Sequence, residues 1–261
     1  QRDRLRADLG FDEPILEQFV SYLNDLLHFD FGTSTKFTNE DTMDVVLRFL
    51  PKTLQLVAAG MLLAFVASLV LGMLAATRPG KLTDKALVTL SLAGLSAPQF
   101  FLAQLLIVLF SVELGWVDIG PGPWTHLILP AIALALPAIG RLSMVVRSSM
   151  IDELNSQYVR AAKAKGVARH RIVAVHALRN AAIPFVTLGG WELIRALAGF
   201  TVVVEGVFGI NGLGNLAILA IRERDFFLIQ TIVLVVAVMV VAINIAIDVV
   251  YKLVDPRVKL T

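Results

Sequence analysis

The sequence predicts an all-α fold: a polytopic membrane bundle of about five spans. Three observations carry this. Hydrophobic residues fill 57% of the 261 positions and charged residues only 17%, whereas a soluble domain sits nearer half apolar and a quarter charged. Several apolar runs are long enough to cross the hydrocarbon core, which takes about 20 helical residues. The segments between them alternate between rich and poor in Lys and Arg, the pattern that sets orientation in a bilayer. The net charge of +2 says little, because its distribution carries the information. The absence of cysteine excludes disulfides and thiolate chemistry. No secretory signal peptide is visible, and the chain opens at Gln1 rather than Met.

Residues 1–50 are the least apolar part, with Asp and Glu outnumbering Lys and Arg. From Pro14 to Phe29, one helical face gathers Ile15, Phe19, Tyr22, Leu23, Leu26 and Leu27, which predicts an amphipathic helix capped near Asp12. Phe29 to Thr35 reads as a turn, and Asp44 to Pro51 as a short amphipathic approach to the membrane. The domain division is therefore a small external segment over 1–50 and a membrane domain over 51–261. The spans follow as Thr53 to Ala76, Ala86 to Val112 (broken at Ser96-Ala97-Pro98), Thr125 to Val146, Ala181 to Val204, and Phe226 to Leu253. Trp116 and Trp124 serve as interface anchors.

Arg78, Lys81 and Lys85, the segment 147–180, and the tail with Lys252, Arg257 and Lys259 fall on one side. That side is cytoplasmic by the positive-inside rule, with Arg222 and Arg224 opposing weakly. Within the basic segment, a helix is expected from about Ile151, with Ile151, Leu154, Tyr158, Ala161 and Ala162 at helical spacing. Ser149 with Asp152 fits a capping box, and Gly166 a left-handed stop. A second helical piece, about Arg169 to Asn180, leads into the next span. Small residues at 161, 162 and 166 let another surface approach the backbone, under the positive field of Arg160, Lys163, Lys165, Arg169, Arg171 and Arg179. Spacing alone equally allows a solvated loop whose charges only fix topology.

The residues of this segment resemble the ATPase-docking loop of importer permeases of the ATP-binding-cassette class. Arg160-Ala161-Ala162, three residues, then Gly166 match the family's Glu-Ala-Ala-x-x-x-Gly, with Arg160 in place of the Glu. His176-Ala177-Leu178-Arg179 stands where the motif has Ile-x-Leu-Pro. The run Tyr158-Val-Arg-x-Ala-x-Ala-Lys-Gly166, followed by His-Ala-Leu-Arg-Asn180-Ala, is similar to the dipeptide, oligopeptide and nickel branch. Further resemblance lies in Leu9-Gly10-Phe11-Asp12, in Asp30 to Ser34, and in Glu205-x-x-Phe208 with Gly212-Leu-Gly214. Arg224-Asp225, Asp248 and Asp255-Pro256-Arg257 continue it to the C-terminus. The resemblance implies a type I importer architecture of six spans, of which one N-terminal span is absent here. It also implies that Asp152, Tyr158, Arg160, Ala161, Ala162 and Gly166 form the ATPase-docking site. The implied partners are a second, different permease subunit, two ATPase subunits holding ATP and Mg, and an external binding protein.

Ionisable groups within spans are costly and mark function by default. Glu192 and Arg195 lie three apart and can pair, either as helix glue or as part of a translocation pathway. Asn244 and Asp248, four apart, and Gln99 and Gln104, beside the Pro98 break, are further pathway candidates. No GxxxxGK[ST] occurs, so the chain is not expected to hydrolyse ATP alone. No HExxH, paired histidine spacing or intramembrane nucleophile with a base is present, so no metal, cofactor or catalytic residue is assigned. No nucleic-acid partner is expected; the bilayer is the chain's environment. The expected function is the permease subunit of a bacterial ATP-driven importer in the inner membrane. Its cargo is expected to be di- or oligopeptides or a glutathione-like solute, with nickel or a metal chelate as the alternative. A self-sufficient channel or secondary transporter is the competing class.

Overall fold

A computed structural model describes residues 14–38, 40–120 and 122–254. The expected cap at Asp12, the Leu9 to Asp12 stretch, and Asp255 to Lys259 lie outside these residues. The described residues form helices α1 (Ile15–Leu27), α2 (Thr42–Ala76), α3 (Leu82–Ser96), α4 (Gln99–Glu113), α5 (Trp124–Leu154), α6 (Gln157–Ala164), α7 (Arg169–Phe208), α8 (Leu213–Glu223) and α9 (Phe226–Val254).

The amphipathic helix expected near the start is α1, yet it buries no residue: Ile15, Phe19 and Leu23 all stay exposed. Helix α2 begins where the Asp41 side chain accepts the Met43 N–H at 2.7 Å, an N-cap. It runs unbroken for 35 residues, so the approach expected at 44–51 is simply its first turns. Those turns have something to pack on. Val45 and Val46 are fully buried against Leu213, Leu216 and Leu228 of α8 and α9.

The second expected span is two helices, α3 and α4, meeting at 106°. The break falls where sequence placed it. Ala97 precedes Pro98 and takes an extended backbone (φ −82°, ψ 133°), because a residue before proline is pushed out of the α region. Helix α5 departs further from expectation. It continues to Leu154, through Pro137, so Ser149 and Asp152 lie in its last turns and form no capping box. Packing overrides the local signal: Val146 and Met150 are fully buried among Ala76, Ala177 and Ala181.

The bundle is built around α2 and α5. At their crossing Gly72 is obligatory, since a Cβ there would lie 2.6 Å from Val146 Cβ and 2.8 Å from the Ser143 carbonyl oxygen. Small residues at helix crossings are the usual device in lipid, where close van der Waals packing replaces the hydrophobic drive. The outer face of α9 exposes Val233, Val238, Val241, Ile245 and Val249, as a lipid-facing wall should.

Both bundle ends are internally tied. At one end, Asp225 caps α9 by accepting the Leu228 N–H, and also accepts from Ser34 Oγ (2.5 Å) and the Lys36 N–H (3.2 Å). At the other, Arg169 donates to the Thr77 carbonyl at 3.0 Å. This second end collects Arg78, Lys81, Arg160, Lys163, Lys165 and Arg171 and is the basic end of the bundle.

Candidate functional site

The connection from α5 through α6 to α7 forms the basic end of the molecule. After Leu154 the chain turns at Asn155-Ser156 and enters the eight-residue α6, whose one fully buried side chain is Val159. The stop is a Schellman motif: the Val167 N–H donates to the Ala162 carbonyl at 3.1 Å and the Gly166 N–H to the Lys163 carbonyl at 3.0 Å. Gly166 sits at φ +76°, in the left-handed region, with open space where a Cβ would project. The expected stop is therefore there, while the helix starts at Gln157, six residues later than expected. The outward face carries Tyr158, Arg160 and Ala161, all exposed, while Ala162 is half-buried. Asp152 is exposed on the preceding helix.

One small network ties three elements together. The Tyr158 hydroxyl donates to Glu153 Oε2 at 2.6 Å, and Asn180 Nδ2 donates to that same oxygen at 3.2 Å. Asn180 Nδ2 also lies 3.2 Å from the Tyr158 hydroxyl. Glu153 ends α5, Tyr158 opens α6 and Asn180 belongs to α7, so the network couples the short helix to the two long ones. Burial pushes the Tyr158 phenol above its ordinary pKa, and the Glu153 hydrogen bond adds to this, so the proton needed for donation stays on.

Within the bundle, Glu192 on α7 is 1% exposed and is held by two guanidiniums. Arg141 of α5 forms the tight pair, with Nε at 2.5 Å and Nη2 at 2.7 Å on the two carboxylate oxygens. The expected partner, Arg195, makes only a 3.3 Å contact, and its side chain is 46% exposed. Arg141 also lies 5.9 Å from the Phe200 ring centre, a cation–π distance. Helix α7 widens to π geometry at Ile172–Ala177 and Ala196–Phe200, on either side of this group.

The other pathway candidates are not brought to this cluster. Asn244 and Asp248 are exposed on α9. Gln104 is exposed on α4. Gln99, at the bend between α3 and α4, is different: both polar atoms of its amide are buried without a partner among the described residues.

The sequence reading assigned no partner to Asp84, Glu205 or Arg141. Asp84 is paired with both Nε and Nη2 of Arg147 and accepts the Gly80 N–H at 2.7 Å. Glu205 accepts from Thr53 Oγ1 at 2.6 Å and from the Asn215 N–H at 3.1 Å, so its carboxylate faces the first turn of α8. A Cβ on Gly212 or Gly214 would collide with that carboxylate, which explains the glycines beside Glu205. Arg141 was the detectable omission: it is a charge inside an expected span, the very signal used for Glu192. Among the described residues, no group of three or more His, Asp or Glu could hold a metal ion.

Comparison with known proteins gives a consistent result. Residues 68–260 match the family model described as binding-protein-dependent transport system inner membrane component. A probable peptide ABC transporter permease of Sinorhizobium fredii is 35% identical over 264 residues, covering 98% of this chain and 84% of that one. The glutathione transport system permease GsiC of Pectobacterium atrosepticum is 36% identical over 258 residues, with the same coverage of 98% and 84%. Among solved structures, the inward-facing MetNI methionine ABC transporter superposes with a TM-score of 0.67 at 22% identity. It covers 82% of this chain and 97% of that one, a likeness of fold.

Proposed function

The chain belongs to the binding-protein-dependent transport system inner membrane component family, and from that membership we propose that it lines the translocation path of an importer of small peptides. It is a multi-pass inner-membrane protein and the permease component of an ABC importer. The peptide reading rests on end-to-end similarity to relatives named for peptide and glutathione transport.

In this reading an external binding protein delivers the peptide to the end of the bundle that holds α8. A second, related permease subunit completes the path. Two ATPase subunits hold ATP and Mg, and one of them receives α6 in a surface groove. The observation that supports this role for α6 is its fixation to α5 and α7 through Glu153, Tyr158 and Asn180. A push on α6 then moves both spans as one body. Helix motion of this kind is the rigid-body class of switching.

The geometry also selects the variant that tests docking. Ala162 is half-buried, so a large residue there would disturb α6 itself; Ala161 is exposed. Ala161→Trp, assembled with its partners in liposomes, is expected to abolish peptide uptake while the chain remains folded and inserted. Normal ATP-driven uptake by this variant would refute docking through α6. Peptide-independent uptake of nickel chelates by the unaltered complex would refute the cargo.

A further inference from the structure

The group Arg141, Glu192 and Arg195 carries two positive charges and one negative, inside a membrane bundle. The negative charge is already committed. Glu192 is buried and bidentate to Arg141, so the third member, Arg195, has only a 3.3 Å contact to an oxygen that Arg141 already occupies. Its guanidinium retains unused donors, and nearly half of its side chain is exposed. The other described acids in the spans do not reach it. Asp84 is bound to Arg147, Glu205 to Thr53 and α8, and Asp248 is exposed on α9 without an ion pair to Arg195.

An incompletely neutralised guanidinium within a span is costly toward lipid, and such groups face the bundle interior, a protein surface or a water-filled cavity. Helix geometry says which way it faces. Gly190 of α7 lies against Ile247 of α9, where a Cβ would touch the isoleucine side chain. Five residues at 3.6 per turn place Arg195 about 140° around the helix from that contact. Arg195 therefore points away from the α9 packing face, on the side of α7 where Glu192 meets α5.

We propose that Arg195 is the site at which the permease holds the carboxylate of its cargo during passage. Glu192 and Arg141 are positioning residues: Arg141 occupies both carboxylate oxygens, and Glu192 touches Arg195 only through Nη1, at 3.3 Å, leaving its charge in excess. A planar guanidinium matches a carboxylate through two parallel hydrogen bonds, which an ammonium cannot reproduce. Small peptides carry such a group at the C-terminus. This rests on the peptide-importer reading, and it names what that site recognises.

The test uses the complete transporter with its binding protein in liposomes, importing one radiolabelled dipeptide and the same dipeptide with a C-terminal amide. The binding protein is identical in every reaction, so a change in the acid-to-amide ratio belongs to the permease. Arg195→Gln leaves the Arg141–Glu192 pair intact and is expected to lower that ratio about 10- to 100-fold, the worth of one charge-assisted hydrogen bond. Arg195→Lys is expected to keep part of the preference. An unchanged ratio in Arg195→Gln, with uptake continuing, would overturn the assignment and leave the importer reading standing. Loss of the second permease subunit from the purified Arg195→Gln complex would assign the guanidinium to the subunit interface, and overturn it as well. Failure of the unaltered complex to import either dipeptide would take down the peptide reading and this inference together.

Discussion

Replacing Glu192 by Gln removes one charge from between two guanidiniums and leaves the side-chain volume almost unchanged. The carboxylate is 1% exposed and Arg141 is 23% exposed, so this pair is desolvated far more than a surface bridge worth at most about 1 kcal/mol. Breaking a buried ion pair costs about 3–5 kcal/mol, because the surviving charge is left without a partner. Arg141 retains some exposure and a cation–π contact with Phe200, which places Glu192→Gln at the lower end, about 3 kcal/mol. Arg141→Met should cost somewhat less, since Arg195 still lies 3.3 Å from Glu192. The double variant Arg141→Met/Glu192→Leu strands neither member of the tight pair, leaves only the half-exposed Arg195 without its acid, and should return to within about 1 kcal/mol of the parent. Equilibrium unfolding in mixed detergent, followed by tryptophan emission, reads all of these. Single variants costing under about 1 kcal/mol, or a double variant costing the sum of the singles, would refute the claim that this pair clamps α5 to α7.

Other perturbations follow from the same contacts. Tyr158→Phe removes the hydroxyl that joins Glu153 to α6; amide exchange over 157–168 should accelerate by roughly the factor that about 1 kcal/mol gives, and uptake per ATP hydrolysed should fall. Gly166→Ala meets open space but requires φ +76°, so it should cost about 1 kcal/mol locally, seen as faster exchange in α6 with the melting temperature of the bundle unchanged. Gly72→Ala forces α2 off α5 and should cost about 1–3 kcal/mol in a thermal melt. Gly94→Ala, in α3 with nothing near its Cβ position, should be neutral or slightly stabilising.

The membrane class, the break at Pro98, the end of α6 at Gly166 and the charge asymmetry were all legible, because each is written in a few adjacent residues. Helix starts were not. Ser149 and Asp152 carry a local capping pattern, but the burial of Val146 and Met150 keeps α5 helical past them. Partners distant in sequence were the larger omission. Glu192 was recognisable as a costly charge, yet its neighbour Arg195 looked like the partner and Arg141, 51 residues away, is the tight one. Likewise the Glu205 and double-glycine pattern was visible, while its reason is the space a carboxylate needs beside α8, shared with Thr53 from α2. Tyr158 and Asn180 stood out as separate pieces of one family pattern, and the structure makes them two ends of a single hydrogen-bonded tie.

The central claim is that this chain works as one permease in an ATP-driven importer, joined to its ATPase through α6. The most direct measurement is gentle extraction of the tagged chain from its native membrane, followed by mass spectrometry of what comes with it, for the unaltered chain and for Ala161→Trp. A second permease and P-loop ATPase subunits should come with the unaltered chain, and the second permease without ATPase with the variant. A chain that purifies alone and carries solute across liposomes down a gradient would contradict that claim.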